Sequence, residues 1–408
     1  MASGLVENSN PGFPEELLIE ILLKLPVKSI VRCTSVSKSW YKLITGPSFI
    51  SFHLKKSVEK SHNLVRRCKS TQPRGTEYYS LHSDDESFDI YSKFECRFPC
   101  SGDFFRLIGI CNGLICLSDD QRSISKNIIL WNPMIRKAIQ LPKSGEFSST
   151  QTLGFGFDPE SNDYKVVRIS YHRNFDHQFG FGQKEVELYN LSSNSWRKIG
   201  DFESQLVVGI RKPLCLERQE TPVFINGSVH WMAYRNLESE GRLIYSVVSF
   251  NMQNDEFKEI SLPKDLATVG LGGTKQLTIW ERKKMLCVTV HDIYSDSTPS
   301  VWIMKEYNVE ESWIKAFEID VIWKVNTKWL RPVGFGKNGA ILCENGQNSL
   351  IYYEHEDEDE DGVIHKKKMK NLLIRNSNRF NHRGSFYVGN FTESLVFLDK
   401  GARYSYRE

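Results

Sequence analysis

The fold is decided by two neighbouring stretches, LIGICNGLICL at 107–117 and IILWNPMIRKAIQLP at 128–142. Each has two runs of apolar and β-branched residues on either side of a short turn, which is the pattern of a β-hairpin. In the first stretch the turn is Asn112-Gly113, a dipeptide that tolerates the positive φ angles of tight hairpin turns. Two successive hairpins predict one four-stranded antiparallel unit.

This unit recurs along the chain. The copies are marked by an aromatic residue followed by Asn, at Asn132, Asn190, Asn251 and Asn308. These asparagines are 58, 61 and 57 residues apart. Four strands repeated roughly every 46–61 residues are typical of β-propeller blades. The stretch 385–398 offers a first hairpin and residues 63–82 a second one, and joining them would close a ring of about six blades without sheet edges.

Residues 12–56 follow a helical pattern instead. Pro14 suits the first turn of a helix, where its missing N–H is not needed, and Pro26 ends the same helix. The apolar residues between them fall at helical spacing: Leu17, Leu18, Ile21, Leu22 and Leu25. Two more short helices are expected, at about 28–36 and 37–44. So small a bundle cannot bury all its apolar side chains, and part of its surface must dock on the adjoining domain or on a partner.

The bulk composition restricts the classes of function. At 408 residues the chain is too long for one ordinary core, and its 40% hydrophobic and 25% charged residues are typical of a soluble protein. A formal net charge of +3 gives no support for a nucleic-acid-binding surface. No basic segment followed by an apolar run opens the chain, and the apolar stretch 17–25 is too short to span a bilayer. We expect no membrane partner and a cytoplasmic and/or nuclear location.

The cysteines predict a reducing compartment. There are nine of them, an odd number, and they are widely scattered, which is a poor disulfide framework. The spacings Cys96/Cys100 and Cys111/Cys116 resemble zinc half-sites only loosely, and no His or Cys pair follows at a finger-like distance. We therefore expect buried thiols, with no metal and no cofactor.

The helical region resembles an F-box. Residues 12–44 have an apolar-Pro-x-Glu-Leu start, a Leu-Pro-Val-Lys-Ser centre and a Val-Ser-Lys-Ser-Trp end. The resemblance implies docking onto a Skp-type adaptor, and through it onto the cullin and RING subunits of a ubiquitin ligase. Carried over by position, the adaptor-binding residues are Pro14, Leu18, Ile21, Leu22, Leu25, Pro26, Val27 and Trp40. Phe13 stands where Leu is commoner in the family.

The repeat region resembles the kelch-like F-box-associated domain of plant F-box proteins. The motifs CNGL at 111–114 and LWNP at 130–133 carry the resemblance. Kelch repeats proper have a Gly-Gly pair in each blade, and this sequence has only Gly272-Gly273. The fold prediction is an α+β multidomain chain, with a three-helix F-box at 12–56 and a kelch-like propeller of about six blades at 60–400. The function implied is the non-catalytic substrate-recognition subunit of an SCF-type ubiquitin ligase.

One long connection between strands is a candidate substrate-binding loop. Residues 171–184 bring several aromatic and basic side chains together, as binding loops on rigid scaffolds often do. The candidates are Tyr171, His172, Arg173, Phe175, His177, Phe179 and Phe181. The alternative is a variable, solvated loop with no binding role.

Two other classes of function stay open. A propeller hydrolase would place strongly perturbed carboxylates around the central channel, although the sequence has no nucleophile elbow, phosphate loop or His-Glu-x-x-His motif. A propeller scaffold independent of ubiquitin would pack the helical module wholly against the β-domain. Solvent exposure of Leu22, Leu25 and Pro26 distinguishes that scaffold from an F-box receptor.

Overall fold

The computed structural model describes residues 14–69, 76–85, 87–100, 104–119, 127–143, 150–173, 181–201, 206–208, 221–237, 240–270, 275–292, 298–319, 330–354, 368–375 and 386–399. Its N-terminal module consists of α1 (Glu15–Leu22), α2 (Val27–Cys33), α3 (Lys38–Ile44) and α4 (Pro47–Ser57), followed by a 3₁₀ turn at Val58–Lys60. Among the described residues, no helix is long and apolar enough to cross a membrane.

The module has four helices, so the expectation of three was wrong. Gly46-Pro47 ends α3 as expected, but Pro47 then occupies the first turn of α4, where its fixed φ and missing N–H are no disadvantage. Prolines also mark the other starts: Pro14 precedes α1 and Pro26 precedes α2. At α3 the side chain of Ser37 accepts a hydrogen bond from the Trp40 N–H at 3.1 Å, which satisfies one donor of the first turn.

The rest of the described chain is almost entirely β-structure. Three strands follow the helices: β1 (His62–Lys69), β2 (Thr76–His82) and β3 (Ile90–Cys96). Blade 1 consists of β4 (Arg106–Cys111), β5 (Leu114–Ser118), β6 (Ile128–Asn132) and β7 (Lys137–Gln140). Blade 2 consists of β8 (Thr150–Asp158), β9 (Asp163–Arg173), β10 (Phe181–Asn190) and β11 (Ser195–Asp201).

Blade 3 is irregular. It contains β12 (Val207–Val208), β13 (Val223–Ile225), β14 (Ser228–Leu237), β15 (Arg242–Asn251), β16 (Phe257–Ser261) and β17 (Thr268–Gly270). Both its innermost and outermost strands are split, because β12 and β13 pair with different parts of β14, and β16 and β17 with different parts of β15. The short helix α5 (Lys264–Ala267) separates the last two strands.

Blades 4 and 5 are regular four-stranded antiparallel sheets. Blade 4 has β18 (Lys275–Arg282), β19 (Met285–Asp292), β20 (Ser300–Met304) and β21 (Trp313–Glu318). Blade 5 has β22 (Leu330–Phe335), β23 (Ile341–Asn345), β24 (Ser349–Glu354) and β25 (Lys368–Arg375). The repeated asparagine drifts here: Asn132, Asn190 and Asn251 end a third strand, whereas Asn308 lies in the turn after β20.

Blade 6 closes the ring. It joins β26 (Tyr387–Phe391), from the end of the chain, to β1, β2 and β3, with His62 paired to Phe391 and Arg66 to Tyr387. The predicted count of about six blades is confirmed. The predicted division was wrong, because one C-terminal strand joins three N-terminal ones instead of two joining two. Residues 392–398 are not a strand; they lie between the helices and the propeller.

Glycine on the innermost strands permits the close approach of neighbouring blades. A Cβ atom at Gly334 of β22 would lie 2.2 Å from the carbonyl oxygen of Val388 in blade 6. At Gly154 of β8 it would lie 2.5 Å from the Trp231 ring of blade 3. Atoms cannot approach so closely without displacing the backbone or a large side chain, so these positions require glycine.

The helical module packs on one end of the propeller. Phe391 and His62 leave blade 6 at the same end, where the turns between first and second strands and between third and fourth strands also lie. The buried residues Leu22, Val27, Ile30, Ile44 and Phe49 form a common cluster with Leu395 and Leu398. Met134 and Ile135, in the turn after β6, pack against the same cluster. The chain therefore covers one side of the helices itself.

Candidate functional site

Helix α1 is apolar on two faces. Leu18 and Leu22, one turn apart, lie in or against the cluster shared with the end of the chain, and only 1% of Leu22 is accessible to solvent. Leu17 and Ile21, also one turn apart, are 47% and 46% exposed. A helix that is apolar around most of its circumference needs partners on both sides. The described part of the chain supplies a partner for only one.

The predicted adaptor-binding residues divide into three groups. Pro14, Ile21 and Pro26 are exposed. Leu18, Leu25 and Trp40 are half-buried and pack against the shared cluster. Leu22 and Val27, 1% and 3% exposed, lie inside the core of the module and do not present a surface to a partner. Both are on the inner side because helical periodicity places them beside Leu18 and Ile30.

Four large exposed apolar side chains of α1–α4 and their connections were not predicted as part of this surface: Leu17, Val36, Tyr41 and Phe52. The i, i+4 spacing of Leu17 and Ile21 was a usable signal, since it defines a second stripe beside that of Leu18 and Leu22. Val36 and Tyr41 flank the Ser37 cap, at the positions before the cap and four residues into α3. A hydrophobic pair at these positions commonly fixes the entry of a helix, which gives the two residues a local role as well.

The charges around this face are segregated by helix. Glu15, Glu16 and Glu20 are exposed on α1. The exposed charges of the next two helices and their connections are positive: Lys24, Lys28, Arg32, Lys38 and Lys42. An apolar patch with a charged rim is the usual composition of a protein–protein interface, because the rim excludes water from the centre and orients the partner.

Part of the predicted substrate-binding loop, residues 171–173 and 181–184, is β-strand. Tyr171 lies in β9 and is fully buried; its hydroxyl donates to the Val208 carbonyl at 2.9 Å and accepts from the Val208 N–H at 2.8 Å. The side chain therefore does not lie on the surface of the propeller. His172 and Arg173 also belong to β9, and Phe181 begins β10 opposite Arg173. Phe175, His177 and Phe179 lie outside the described residues.

Burial shifts the pKa of several histidine and cysteine side chains among the described residues. Burial lowers the pKa of His53 and of His230 to about 4, so both rings are neutral at pH 7. Burial raises the pKa of Cys343 to about 12 and also raises the pKa of the Cys111 and Cys287 thiols. A nucleophilic cysteine needs the opposite shift.

Two carboxyl groups bear on the hydrolase alternative. Burial raises the pKa of Glu281, an effect opposed by the backbone N–H and the charge of Lys284, and burial alone raises the pKa of Glu393. In both cases the cause of the raised pKa is burial, and no neighbouring carboxylate contributes to it.

No metal site is formed within the described ranges. No group of three or more His, Cys, Asp or Glu side chains there is arranged to hold an ion. The loosely zinc-like pairs Cys96/Cys100 and Cys111/Cys116 therefore have no further ligands in that part of the molecule. None of the eight cysteines that the structure describes forms a disulfide.

Comparison with known proteins identifies the two parts of the chain. Residues 11–52 match the F-box domain, and residues 58–398 match the F-box associated beta propeller domain. The F-box protein At3g07870 of Arabidopsis thaliana is 29% identical, with 84% of this chain and 85% of that protein aligned. The F-box protein CPR1 is also 29% identical, over 89% and 84%. The F-box/kelch-repeat protein At3g23880 is 28% identical, over 84% and 87%.

The resemblance carried by the LWNP and CNGL motifs is thereby confirmed over most of the chain. Solved structures are more remote: a Lactobacillus plantarum protein aligns over 77% of this chain and 97% of its own, with a TM-score of 0.40 and 9% identity. The helical module coincides with the matched F-box, and the six blades coincide with the matched propeller. The chain belongs to the family of F-box proteins with an F-box associated β-propeller domain.

Proposed function

We propose that this chain is the substrate-recognition subunit of an SCF-type ubiquitin ligase, working in the cytoplasm and/or nucleus. The F-box binds a Skp-type adaptor and, through it, the cullin and RING subunits, while the propeller holds a target protein. The observation that carries the proposal is the pair of apolar faces on α1, one covered by the chain and the other exposed at Leu17 and Ile21.

The exposed face is large enough to contribute to a specific interface. Burying a fully exposed aliphatic side chain in an interface stabilises a complex by about 1.5–3 kcal/mol. The contribution of Leu17 and of Ile21 is smaller, because about half of each side chain is already buried in the free protein. Pro14 and Pro26, both exposed at the starts of α1 and α2, add rigid apolar surface at no cost in backbone entropy. We place the centre of the adaptor interface at Leu17 and Ile21, with Pro14, Leu18, Leu25, Pro26 and Trp40 around it.

The role of the chain in the reaction is to bring reactants together. The RING subunit recruits the enzyme charged with ubiquitin, and the propeller holds a lysine of the target within its reach. Converting an encounter between two proteins into a reaction within one complex raises the effective concentration of the reactants. This mechanism needs no catalytic residue in the chain.

The target is expected on the propeller end opposite the helices. The F-box and the segment 392–398 occupy the end with the tight turns, so helices α1–α4 do not cover the opposite end. Strand β9 ends at that end with Arg173, and β10 begins there with Phe181; residues 174–180, which connect them, lie outside the described residues. Deleting them should abolish target capture and leave adaptor binding intact; unchanged capture would remove this loop from the proposal.

A ubiquitin-independent scaffold is the second candidate, and the exposure of Pro26 and Ile21 argues against it. A scaffold whose helices only cap the propeller would gain nothing from exposed apolar side chains on α1. The burial of Leu22 and the half-burial of Leu25 are what that candidate predicted, but they account for only the inner face.

The experiment is co-purification of the full chain with a Skp-type adaptor and cullin. The variant Leu17→Asp/Ile21→Asp should lose the adaptor and the ubiquitin-transfer activity of the complex. The matched control is Ile314→Asp, which places the same charge on an exposed isoleucine of β21 in the propeller and should retain both. Leu22→Asp is not suitable, because it buries a charge in the core and tests folding instead of docking. Retention of the adaptor by the double variant would refute the proposal.

A further inference from the structure

The segment 392–398 is buried on both sides although it has no regular secondary structure. Ser394, Leu395 and Phe397 are almost inaccessible to solvent. Leu395 and Leu398 belong to the cluster that contains the F-box core, whereas Val396 and Phe397 belong to a cluster of blades 1 and 2. Side chains of one short segment thus fill both the helical module and the propeller, and Ile50 of α4 packs against both clusters.

Asn132 holds this segment from the propeller side. Its side-chain Nδ2 donates to the carbonyl oxygens of Ser394 at 3.0 Å and Val396 at 2.9 Å. Its Oδ1 accepts from the Met134 N–H at 3.1 Å, which shapes the turn after β6. Asn132 is fully buried, so water cannot replace these bonds, and each carbonyl left without a donor would carry a desolvation penalty.

Two more groups of blade 1 fix the same segment. The Lys137 ammonium donates to the Leu398 carbonyl at 2.9 Å. Gly113, in the turn between β4 and β5, has φ +77°, and a Cβ there would lie 2.4 Å from the Ser394 hydroxyl and 2.6 Å from the Thr392 carbonyl oxygen. The segment therefore lies directly on the backbone of this turn. The Gly of CNGL and the Asn of LWNP meet at one place, although their motifs are separate in sequence.

We propose that Asn132 is a positioning residue: it clamps the segment 392–398 onto blade 1 and so holds the F-box at a fixed orientation to the propeller. Asn251, the equivalent residue of blade 3, makes the same kind of turn-shaping bond: its Oδ1 accepts from the Gln253 N–H at 2.8 Å. The two bonds from Nδ2 to the segment 392–398 distinguish Asn132 from Asn251. The clamp adds a fixed spacing between the adaptor face and the far end of the propeller.

The clamp itself does not depend on the proposed ubiquitin-ligase role. Only the purpose of the fixed spacing, which is to hold the target at a set distance from the adaptor, rests on that role. The clamp itself is tested without an adaptor, so its failure and that of the proposed function are distinguishable. The measurement is hydrogen–deuterium exchange of the full chain, resolved into peptides from α2–α4 and peptides from blades 2–5. The variants are Asn132→Ala and Lys137→Met, and the matched control is Asn251→Ala.

We expect the helical peptides of Asn132→Ala to exchange at least about tenfold faster, and those of Lys137→Met about threefold faster, with the peptides of blades 2–5 unchanged. Asn251→Ala should leave the helical peptides unchanged. Lys137 is only half-buried, so its variant keeps the test valid if Asn132→Ala does not fold. Unchanged helical peptides in both variants would overturn the clamp. So would an equal acceleration in the helices and in blades 2–5, because Asn132 would then merely support the propeller.

Discussion

The two faces of α1 have nearly the same composition and opposite surroundings. Leu18 and Leu22 pack against the chain's own C-terminal segment, whereas Leu17 and Ile21 meet solvent. The difference shows that an apolar stripe on a helix indicates only that this face must be buried against another surface. Whether the chain or a partner provides that cover depends on tertiary structure, and on α1 it depends on the segment 392–398, at least 370 residues away in sequence.

The largest loss of stability should come from removing one partner of a buried ion pair. Glu77 and Arg66 are buried in blade 6 and joined at 2.8 Å, and Glu77 also accepts from the Tyr79 hydroxyl and the Phe105 N–H. Glu77→Ala leaves the Arg66 charge without this partner and should lower the free energy of unfolding by about 3–5 kcal/mol in chemical denaturation. Glu259→Ala, which breaks the exposed pair with Arg235, should change it by less than about 1 kcal/mol. Equal effects would mean that burial does not set the value of an ion pair here.

The next largest effect separates the two faces of α1 directly. Leu22→Ala should cost about 2–5 kcal/mol of stability, because it leaves a cavity in a closed core. Leu17→Ala should change stability by no more than about 0.5 kcal/mol, because Leu17 is already 47% exposed to solvent and its loss leaves no closed cavity. Chemical denaturation of both variants measures the difference. A comparable loss in Leu17→Ala would show that the outer face is covered after all.

The pH dependence of the free energy of unfolding should show that His53, on the buried side of α4, is neutral in the folded state. Burial lowers the pKa of His53 to about 4, so between about pH 6.5 and pH 4 the unfolded state binds a proton that the folded state excludes. Stability should therefore fall as the pH drops through this window, by up to about 3 kcal/mol for one such histidine. His230, buried in blade 3, has the same shift. The variant His53→Gln should remove about half of the slope that the two histidines produce; a slope unaltered by it would contradict a buried, neutral His53.

Much of the fold could be predicted from the sequence because it depends on local patterns. Hairpin turns such as Asn112-Gly113 and the repeated spacing of Asn132, Asn190 and Asn251 were enough for the number of blades. The division of blade 6 was not predictable in this way. Residues 394–398 are as apolar as a β-strand, but they pack as an irregular segment between the helical module and the propeller. Hydrophobic periodicity does not distinguish such a segment from a strand.

The candidate site was predictable as a region and less so in its residues. Tyr171 was expected in a loop, yet β9 runs for 11 residues. The alternation of Val167, Ile169 and Tyr171 toward one buried cluster was the missed signal. Leu22 and Val27 were assigned to the docking surface because the family motif names positions and not the direction in which their side chains face.

The most direct test of the account is titration calorimetry of a purified Skp-type adaptor into the full chain and into Leu17→Ser/Ile21→Ser. Both substitutions remove apolar surface from the outer face of α1 without touching its inner face. The account predicts that Kd rises by about two orders of magnitude, the loss of about 3 kcal/mol of interface burial, while the melting temperature stays within about 2 °C. An unchanged Kd, with the variant fully folded, would show that the uncovered face of α1 does not bind the adaptor.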